Sequence, residues 1–162
     1  MPRRTAILSV PKALAGLLTA CCLAAAAYAV EAPDNVETEV AKAVQSCKDS
    51  DGTPNTDAVL SVKDVNSDGG EDWIADYSKL GCQGGINDMC DDDGCELQIY
   101  LWNGAAAWNL AFDEAVKSYK FAKQHGHPVL QVIMAGSACD RPSDQTCHVT
   151  YRLNKDSIDP MQ

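Results

Sequence analysis

The spacing of apolar residues predicts one helix near the start of the chain. One apolar side chain per turn recurs there: Val36, Val40, Val44 and Cys47. This spacing places them on one face of a helix, which we predict over residues 34–47. Asp34 is its predicted cap, with Glu37 three residues later as in a capping box. The apolar face is expected to pack on a sheet.

Strands are predicted where apolar and polar residues alternate or where β-formers cluster. The predicted strands are residues 58–63, 72–77, 97–102, 106–112, 129–134 and 148–153. The segment 97–102 is the strongest because it is rich in β-formers and stops at Asn103-Gly104, a hairpin signal. The apolar residues at 108–119 also fit a helical stripe, and we prefer a strand because the hairpin needs a partner.

Two segments are predicted to lack regular structure. Residues 80–95 combine glycines, cysteines and acidic residues without a clear period, and the tail from Asn154 is expected to fray. The predicted elements together indicate an α+β fold, with an N-terminal helix packed on a mainly antiparallel sheet of about five to six strands.

The first 29 residues have the pattern of a secretory signal peptide. Residues 13–27 are an uncharged apolar run, and Ala27-Tyr28-Ala29 is a small-x-small cleavage site. The run is shorter than a membrane span of about 20 residues. A segment resembling a bacterial lipobox ends at Cys21, but the chain stays apolar after it, which disfavours a lipid anchor. We therefore expect cleavage after Ala29 and a single periplasmic or secreted domain over residues 30–162.

Six cysteines remain in this predicted domain, and an even number in an exported chain indicates disulfide bonds. Six cysteines allow 15 pairings, and no C-x-x-C spacing of a zinc or redox site occurs. The preferred pairing is Cys47 with Cys82, Cys90 with Cys95 and Cys139 with Cys147. The sequence therefore predicts a disulfide-linked fold without establishing the connectivity.

The predicted domain is strongly acidic, because ten basic residues against 23 acidic ones give a formal charge of −13. Such a charge repels phosphate groups rather than releasing their counterions. We therefore expect no binding of nucleic acid or of anionic membranes, and the short apolar run near the start predicts no membrane span. The charge suits a metal cation or a basic protein partner, whose identity the sequence does not give.

The segment from Asp64 to Asp72 has the residue types and spacing of a calcium loop. Calcium takes about six to eight oxygen ligands, which alternate residues of a tightly turned loop can supply. Gly69 occupies the sixth position, where the chain has to turn sharply. With Ca²⁺ as the cofactor, the predicted ligands are Asp64, Asn66, Asp68, the Gly70 carbonyl, Asp72 and, by extension of the loop to residue 76, Asp76.

The loop lacks one feature of an EF-hand, since Ala75 stands where the bidentate Glu is required. The pattern D-x-N-x-D-G-x-x-D, followed by apolar residues, resembles the calcium loops of FG-GAP and VCBS-type repeats, which lead into a strand. With its cysteine pairs, the chain is also similar to small periplasmic proteins of proteobacteria, a resemblance that implies no activity. The alternative is an Asx-rich turn without metal. The run Asp91–Asp93 is either a further cation site or a solvated loop.

No catalytic motif is present in the sequence: G-x-S-x-G, H-E-x-x-H and a Gly-rich phosphate loop are all missing. The favoured hypothesis is an exported calcium-binding domain that acts as a binding or structural module rather than as an enzyme. One alternative is an acidic inhibitor or immunity-type protein of a basic secreted enzyme, such as a lysozyme. The other is a small hydrolase that uses Asp or Glu.

Overall fold

One helix and eleven strands form the part of the protein that the structure describes, residues 32–105, 107–142 and 144–161 of a computed structural model. The predicted signal peptide and its lipid-anchor alternative lie outside these residues. The chain divides into the units Met1–Val30 and Glu31–Gln162, and every described residue belongs to the second. None of the described helices is long and apolar enough to cross a membrane.

The predicted helix and all six predicted strands are present with shifted ends, including the strand preferred over a helix after the Asn103-Gly104 turn. Helix α1 spans Asp34–Asp49. The strands are β1 Thr53–Asn55, β2 Leu60–Lys63, β3 Asp72–Asp76, β4 Gly81–Gln83, β5 Cys90–Asp91, β6 Gly94–Trp102, β7 Trp108–Val116, β8 Ser118–Gln124, β9 His127–Ala135, β10 Thr146–Leu153 and β11 Ile158–Pro160. Single 3-10 turns follow β3 and β9. The α+β prediction is confirmed, with more strands than the five to six expected.

The strands form two main sheets and one short ladder, and all the pairs are antiparallel. In the first sheet β2 pairs with β3, β3 with β6 and β6 with β7, while the short β5 also pairs with β6. The second sheet has the order β11-β10-β9-β8, and β1 pairs only with β4. Only Lys117 separates β7 from β8, so the chain passes directly from one sheet to the other.

The first sheet is the middle layer, with the second sheet on one face and α1 on the other. Alternation along β6 produces this arrangement because successive side chains of a strand point to opposite faces. Leu97, Ile99 and Leu101 join the core shared with the second sheet. Tyr100 points the other way and packs with Trp73 against Val36 of α1. The apolar face predicted for the helix therefore does pack on a sheet.

Three disulfides cross-link the described part of the chain, in the pairing preferred from the sequence. Cys47 at the end of α1 is bonded to Cys82 in β4. Cys90 is bonded to Cys95, and Cys139 to Cys147, in local loops. This part of the prediction is confirmed. Three disulfides are compatible with a protein of the periplasm or the extracellular space.

The sequence predictions were wrong in detail at three places. Asp34 does not cap the helix, because the Pro33 carbonyl accepts the amides of Val36 and Glu37 at 2.9 and 3.0 Å, and no side chain caps this end. Residues 80–95 contain the short strands β4 and β5, which sequence periodicity cannot show. The tail does not fray, since β11 pairs with β10.

Candidate functional site

The predicted calcium loop connects β2 to β3, whose register places Lys63 opposite Asp72. Its ends are anchored in the core, while its tip faces solvent. Val65 is 4% exposed and Asn66 is 8% exposed. The buried residues therefore fix the position of the loop, while its tip exposes polar groups to solvent.

Asp64 closes the turn by accepting hydrogen bonds from backbone amides of the loop. Its Oδ1 accepts from the amides of Ser67 at 2.7 Å and Asp68 at 3.2 Å, and its Oδ2 accepts from Gly69 at 3.1 Å. Gly69 has φ 88°, the left-handed conformation that glycine adopts without a Cβ penalty. The sharp turn predicted at the sixth position of the loop is confirmed.

Asp72 connects the loop to the middle of the first sheet. Its carboxylate is fully buried and accepts one hydrogen bond from the Val65 amide and one from the Trp102 amide, each at 2.9 Å. Burial raises the pKa of Asp72, and the negative charges of Asp68 and Asp64 raise it further. A cation at the loop would favour the ionised carboxylate.

Two tryptophans on the hairpin between β6 and β7 contact the loop, and this contact was not predicted from the sequence. The rings of Trp102 and Trp108 lie 4.5 Å apart between centroids. The Trp108 indole N–H donates to the Glu71 carbonyl at 2.8 Å. A Cβ at Gly70 would lie 2.6 Å from Trp102 Cδ1, so this position requires glycine. The tryptophans flank the predicted hairpin turn, but their contact with the loop depends on strand register.

Asn66 connects the loop to the second sheet. Its side-chain amide donates to the carbonyls of Asn154 and Lys155, each at 3.2 Å, in the turn between β10 and β11. Its Oδ1 accepts the Asp68 amide at 3.0 Å and stays within the loop. The loop therefore lies where the edges of the two sheets meet.

The structure does not bring Asp76 or the acidic run Asp91–Asp93 to the loop. Asp76 is four residues beyond Asp72 on β3, about 13 Å along an extended strand. Its carboxylate accepts from the amide and hydroxyl of Ser78 and from the Tyr119 hydroxyl. Asp91 caps the turn into β6, at the end of that strand opposite to Trp102.

The oxygen atoms of the loop are of the type that calcium binds, and their hydrogen bonds leave lone pairs free to coordinate an ion. A carboxylate offers about four acceptor sites, and Asp68 uses one, from the Gly70 amide at 2.8 Å. Asp72 uses two, and Asp64 uses three. Within residues 32–105, 107–142 and 144–161, however, no three side chains of His, Cys, Asp or Glu converge as a metal-binding group. Binding would therefore require the exposed carboxylates of Asp64 and Asp68 to turn towards a common point.

A second polar group lies on the helix side of the first sheet, where Gln98 bridges two carboxyl groups. Its amide nitrogen is 2.6 Å from Glu96 Oε1 and 3.3 Å from Asp113 Oδ1. Its oxygen accepts the Tyr100 hydroxyl at 2.8 Å. Burial is the main cause that raises the pKa of Glu96 to about 7. The hydrogen bond with Asp113 and the negative charges of Asp113 and Glu39 also raise it, whereas the hydrogen bond from Gln98 lowers it.

This carboxyl pair borders an acidic cleft of about 360 Å³. The carboxylates that line it are those of Asp88, Asp91, Glu96, Asp113 and Glu114. Nothing in the sequence indicated the cleft, because its residues come from two separate segments, 88–96 and 113–115. It is the most acidic concave surface among the cavities of the described residues.

Replacement of Glu96 is expected to change how stability depends on pH. The pKa of Glu96 in the fold lies above its ordinary value of 4.5, so its stabilising effect is complete below about pH 4.5 and is lost as the pH rises through about 7. Glu96→Gln should therefore be the more stable protein at pH 8, by on the order of 1 kcal/mol after allowance for partial exposure. Urea unfolding of both proteins at pH 4.5 and pH 8 measures this difference.

Glu114→Gln is the matched control, because it removes a neighbouring exposed carboxylate of the same cleft. It should keep the pH dependence of the unchanged protein. If Glu96→Gln loses stability between pH 4.5 and pH 8 as steeply as the unchanged protein does, the assignment of the raised pKa to Glu96 is wrong.

Comparison of the chain with protein families, curated proteins and solved structures finds no match in any of the three.

Proposed function

We propose that the loop at residues 64–72 binds calcium in an exported, periplasmic domain that acts as a binding or structural module. The ligands are oxygens of Asp64, Asn66, Asp68 and Asp72 together with the Gly70 carbonyl. The observation that carries the proposal is the sharp turn at Gly69, around which Asp64, Asp68 and Asp72 are spaced as calcium ligands although their carboxylates do not converge on one point in this structure. Burial raises the pKa of Asp72, and the negative charges of Asp68 and Asp64 raise it further. A bound cation would favour the ionised carboxylate and so oppose this rise.

The position of the loop supports a stabilising role for the ion. Asp72 accepts the Trp102 amide of the first sheet, and Asn66 donates to carbonyls of the turn beside the second sheet. A cation held by both side chains would oppose separation of the sheets at this edge. Calcium would then stabilise the native state in proportion to its affinity for it.

Terbium luminescence tests the site directly, because Tb³⁺ replaces Ca²⁺ at oxygen sites and is excited by energy transfer from a nearby indole. Trp102 lies against Gly70, so a bound ion would be close to its ring. We expect luminescence excited through tryptophan that added calcium displaces. Asp68→Ala should abolish this signal, since Asp68 is exposed and accepts only the Gly70 amide.

Asp92→Ala is the control because it removes one exposed carboxylate from the acidic run at the far end of β6. It should leave the terbium signal unchanged. A signal that persists in Asp68→Ala, or that disappears equally in both variants, would argue against a site in the loop.

The acidic cleft favours a second candidate function, the binding of a basic secreted enzyme such as a lysozyme. Five carboxylates line it, and the net charge of the predicted domain would accelerate encounter with a cationic partner. Inhibition of a lysozyme at low ionic strength, lost in the double variant Asp113→Asn/Glu114→Gln but retained in Asp68→Ala, would support this function. Lack of inhibition at low ionic strength would remove lysozyme as the partner.

A further inference from the structure

The strand β7 forms one edge of the first sheet, because among the described residues it pairs only with β6. It spans nine residues, whereas no other edge strand of the two sheets exceeds the seven residues of β8. Alternate residues of an antiparallel strand direct their backbone N–H and C=O groups to the same side. One set of these groups on β7 therefore points away from β6.

The backbone groups on this outer side are unpaired within residues 32–105, 107–142 and 144–161. Outside the ladder with β6, no backbone hydrogen bond there involves residues 108–116. The next residue, Lys117, donates its amide to the Ile133 carbonyl at 2.8 Å and so begins the second sheet. The other hydrogen bonds of β7 are made by the side chains of Trp108 and Asp113. An open edge of this kind can pair with a further extended segment.

The side chains of β7 leave the edge accessible. Leu110 is 47% exposed, and Asp113, Glu114 and Ala115 are also exposed. Helix α1 packs on Tyr100 of β6 but leaves its cross-strand neighbour Leu110 in solvent. The strand has no proline and no lysine, two residues that commonly block pairing at an edge. An extended segment can therefore reach β7 without displacing α1.

A bulge defines the part of β7 that suits a partner strand. Phe112 pairs with Ile99 and Leu110 with Tyr100, so Ala111 has no partner on β6. A bulge bends the strand that contains it. Continuous pairing is therefore expected over the five residues 112–116, whose register with β6 is unbroken. Five residues is a typical strand length.

The charge of this run is negative. Its two charged residues are Asp113 and Glu114, and neither forms an ion pair among the described residues. They are consecutive, so their side chains point to opposite faces of the sheet. Both line the acidic cleft of five carboxylates, and no basic residue is among the described residues that line it.

The basic residues nearby do not cancel this charge. Lys117 follows the strand directly and donates to the Asp92 carbonyl at 2.8 Å. Lys42 of α1 is paired with Glu39. The next basic residue along the chain, Lys120, belongs to the second sheet. One ammonium group beside five carboxylates leaves this edge negative.

The same charge disfavours a second copy of this chain as the partner strand. Antiparallel pairing of residues 112–116 with themselves would place the two Glu114 side chains directly opposite each other. Like charges in that position destabilise a strand pair. The edge instead suits an extended segment that is basic at this point.

From the open edge and its charge we infer that residues 112–116 bind an extended segment of a basic partner protein as an additional strand. Two consecutive basic residues of that segment lie beside Asp113 and Glu114, one on each face of the sheet. Backbone pairing contributes affinity, and the basic pair contributes specificity. The edge is separate from the calcium loop, and the inference requires neither the metal nor inhibition of an enzyme.

The test titrates the capped hexapeptide acetyl-Thr-Val-Lys-Arg-Val-Thr-amide into the oxidised ¹⁵N-labelled protein at low ionic strength with EDTA present. EDTA removes calcium, so the result does not depend on the calcium proposal. We expect chemical-shift changes at residues 112–116. At about ten times the dissociation constant of the peptide, hydrogen exchange of the outward amides of this run should slow by about tenfold, because binding leaves few of them open.

The same peptide with N-methyl groups on its Lys and Arg amides is the matched control for strand pairing. These two amides face opposite edges of an extended chain, so methylation blocks both edges and keeps the charge. The methylated peptide should bind at least about tenfold more weakly, since it loses backbone hydrogen bonds. Equal binding of the two peptides would mean that only charge attracts them, which would overturn the inference.

Asp113→Asn/Glu114→Gln should weaken binding of the unmodified peptide by about fivefold, since it removes two exposed charge pairs. Asp57→Asn/Asp156→Asn is the control variant, because it removes the same charge from exposed residues in loops away from β7. It should bind as the unchanged protein does. Equal weakening in both variants, or shift changes that miss residues 112–116, would overturn the inference. A dimer of the peptide-free protein with slowed exchange at the same amides would also overturn it and assign the edge to a second copy of this chain.

Discussion

Asp72→Ala is expected to destabilise the protein by about 4 kcal/mol, because two buried amides lose their acceptor and each costs about 1 to 3 kcal/mol when unsatisfied. The amides are those of Val65 and Trp102, and Asp72 is completely buried. The effect does not require a metal, so urea unfolding at pH 7 in EDTA measures it.

Asp68→Ala in the same buffer is the control for this prediction. Asp68 belongs to the same loop and carries the same charge, but it is exposed and accepts one amide. Its replacement should cost less than about 1 kcal/mol without calcium. Equal losses in the two variants would mean that the hydrogen bonds of Asp72 do not hold the loop to the sheet.

The second large effect is expected from the disulfide between Cys47 and Cys82. It closes a loop with a sequence separation of 35 residues, and its removal should cost roughly 4 kcal/mol in the chain-entropy description. The double variant Cys47→Ala/Cys82→Ala should therefore unfold at a much lower urea concentration. The bond also holds the end of α1 to β4, so loosening of the helix should accompany the loss, as measured by hydrogen exchange.

Cys90→Ala/Cys95→Ala provides the comparison, since that bond spans only five residues. Its removal should cost about 2 kcal/mol on the same description. If the short loop proves as costly as the long one, loop closure is not the main contribution of the Cys47 to Cys82 bond.

Elements with a strong period were predictable from the sequence. The helical stripe of α1 and the β-rich segment within β6 appear where the pattern places them, because side-chain burial on one face decides both. The β11 strand was missed because three residues cannot show a period; pairing with β10 and burial of Ile158 hold it in place. The preferred cysteine pairing was also correct, although spacing alone leaves the alternatives open.

Only the part of the candidate site that lies within one loop was predictable from the sequence. The turn at Gly69 and the grouping of Asp64, Asn66 and Asp68 follow from residues within one loop. The hydrogen bond from the Trp102 amide to Asp72 depends on the register between β3 and β6. The hydrogen bond from the Asn66 side chain to the Asn154 carbonyl depends on contact between the two sheets. Such contacts join residues far apart in the chain, so no local pattern indicates them. Asp76 failed to join the loop because β3 continues as an extended strand away from it.

Thermal unfolding with and without calcium tests the calcium proposal most directly, with Asp68→Ala and Asp92→Ala measured alongside. At 100 times its dissociation constant, calcium should stabilise the native protein by about 2.7 kcal/mol, which raises the midpoint by several degrees. We expect this rise in the unchanged protein and in Asp92→Ala, and none in Asp68→Ala. A midpoint that calcium leaves unchanged in the native sequence, or raises equally in Asp68→Ala, would contradict a calcium site at residues 64–72.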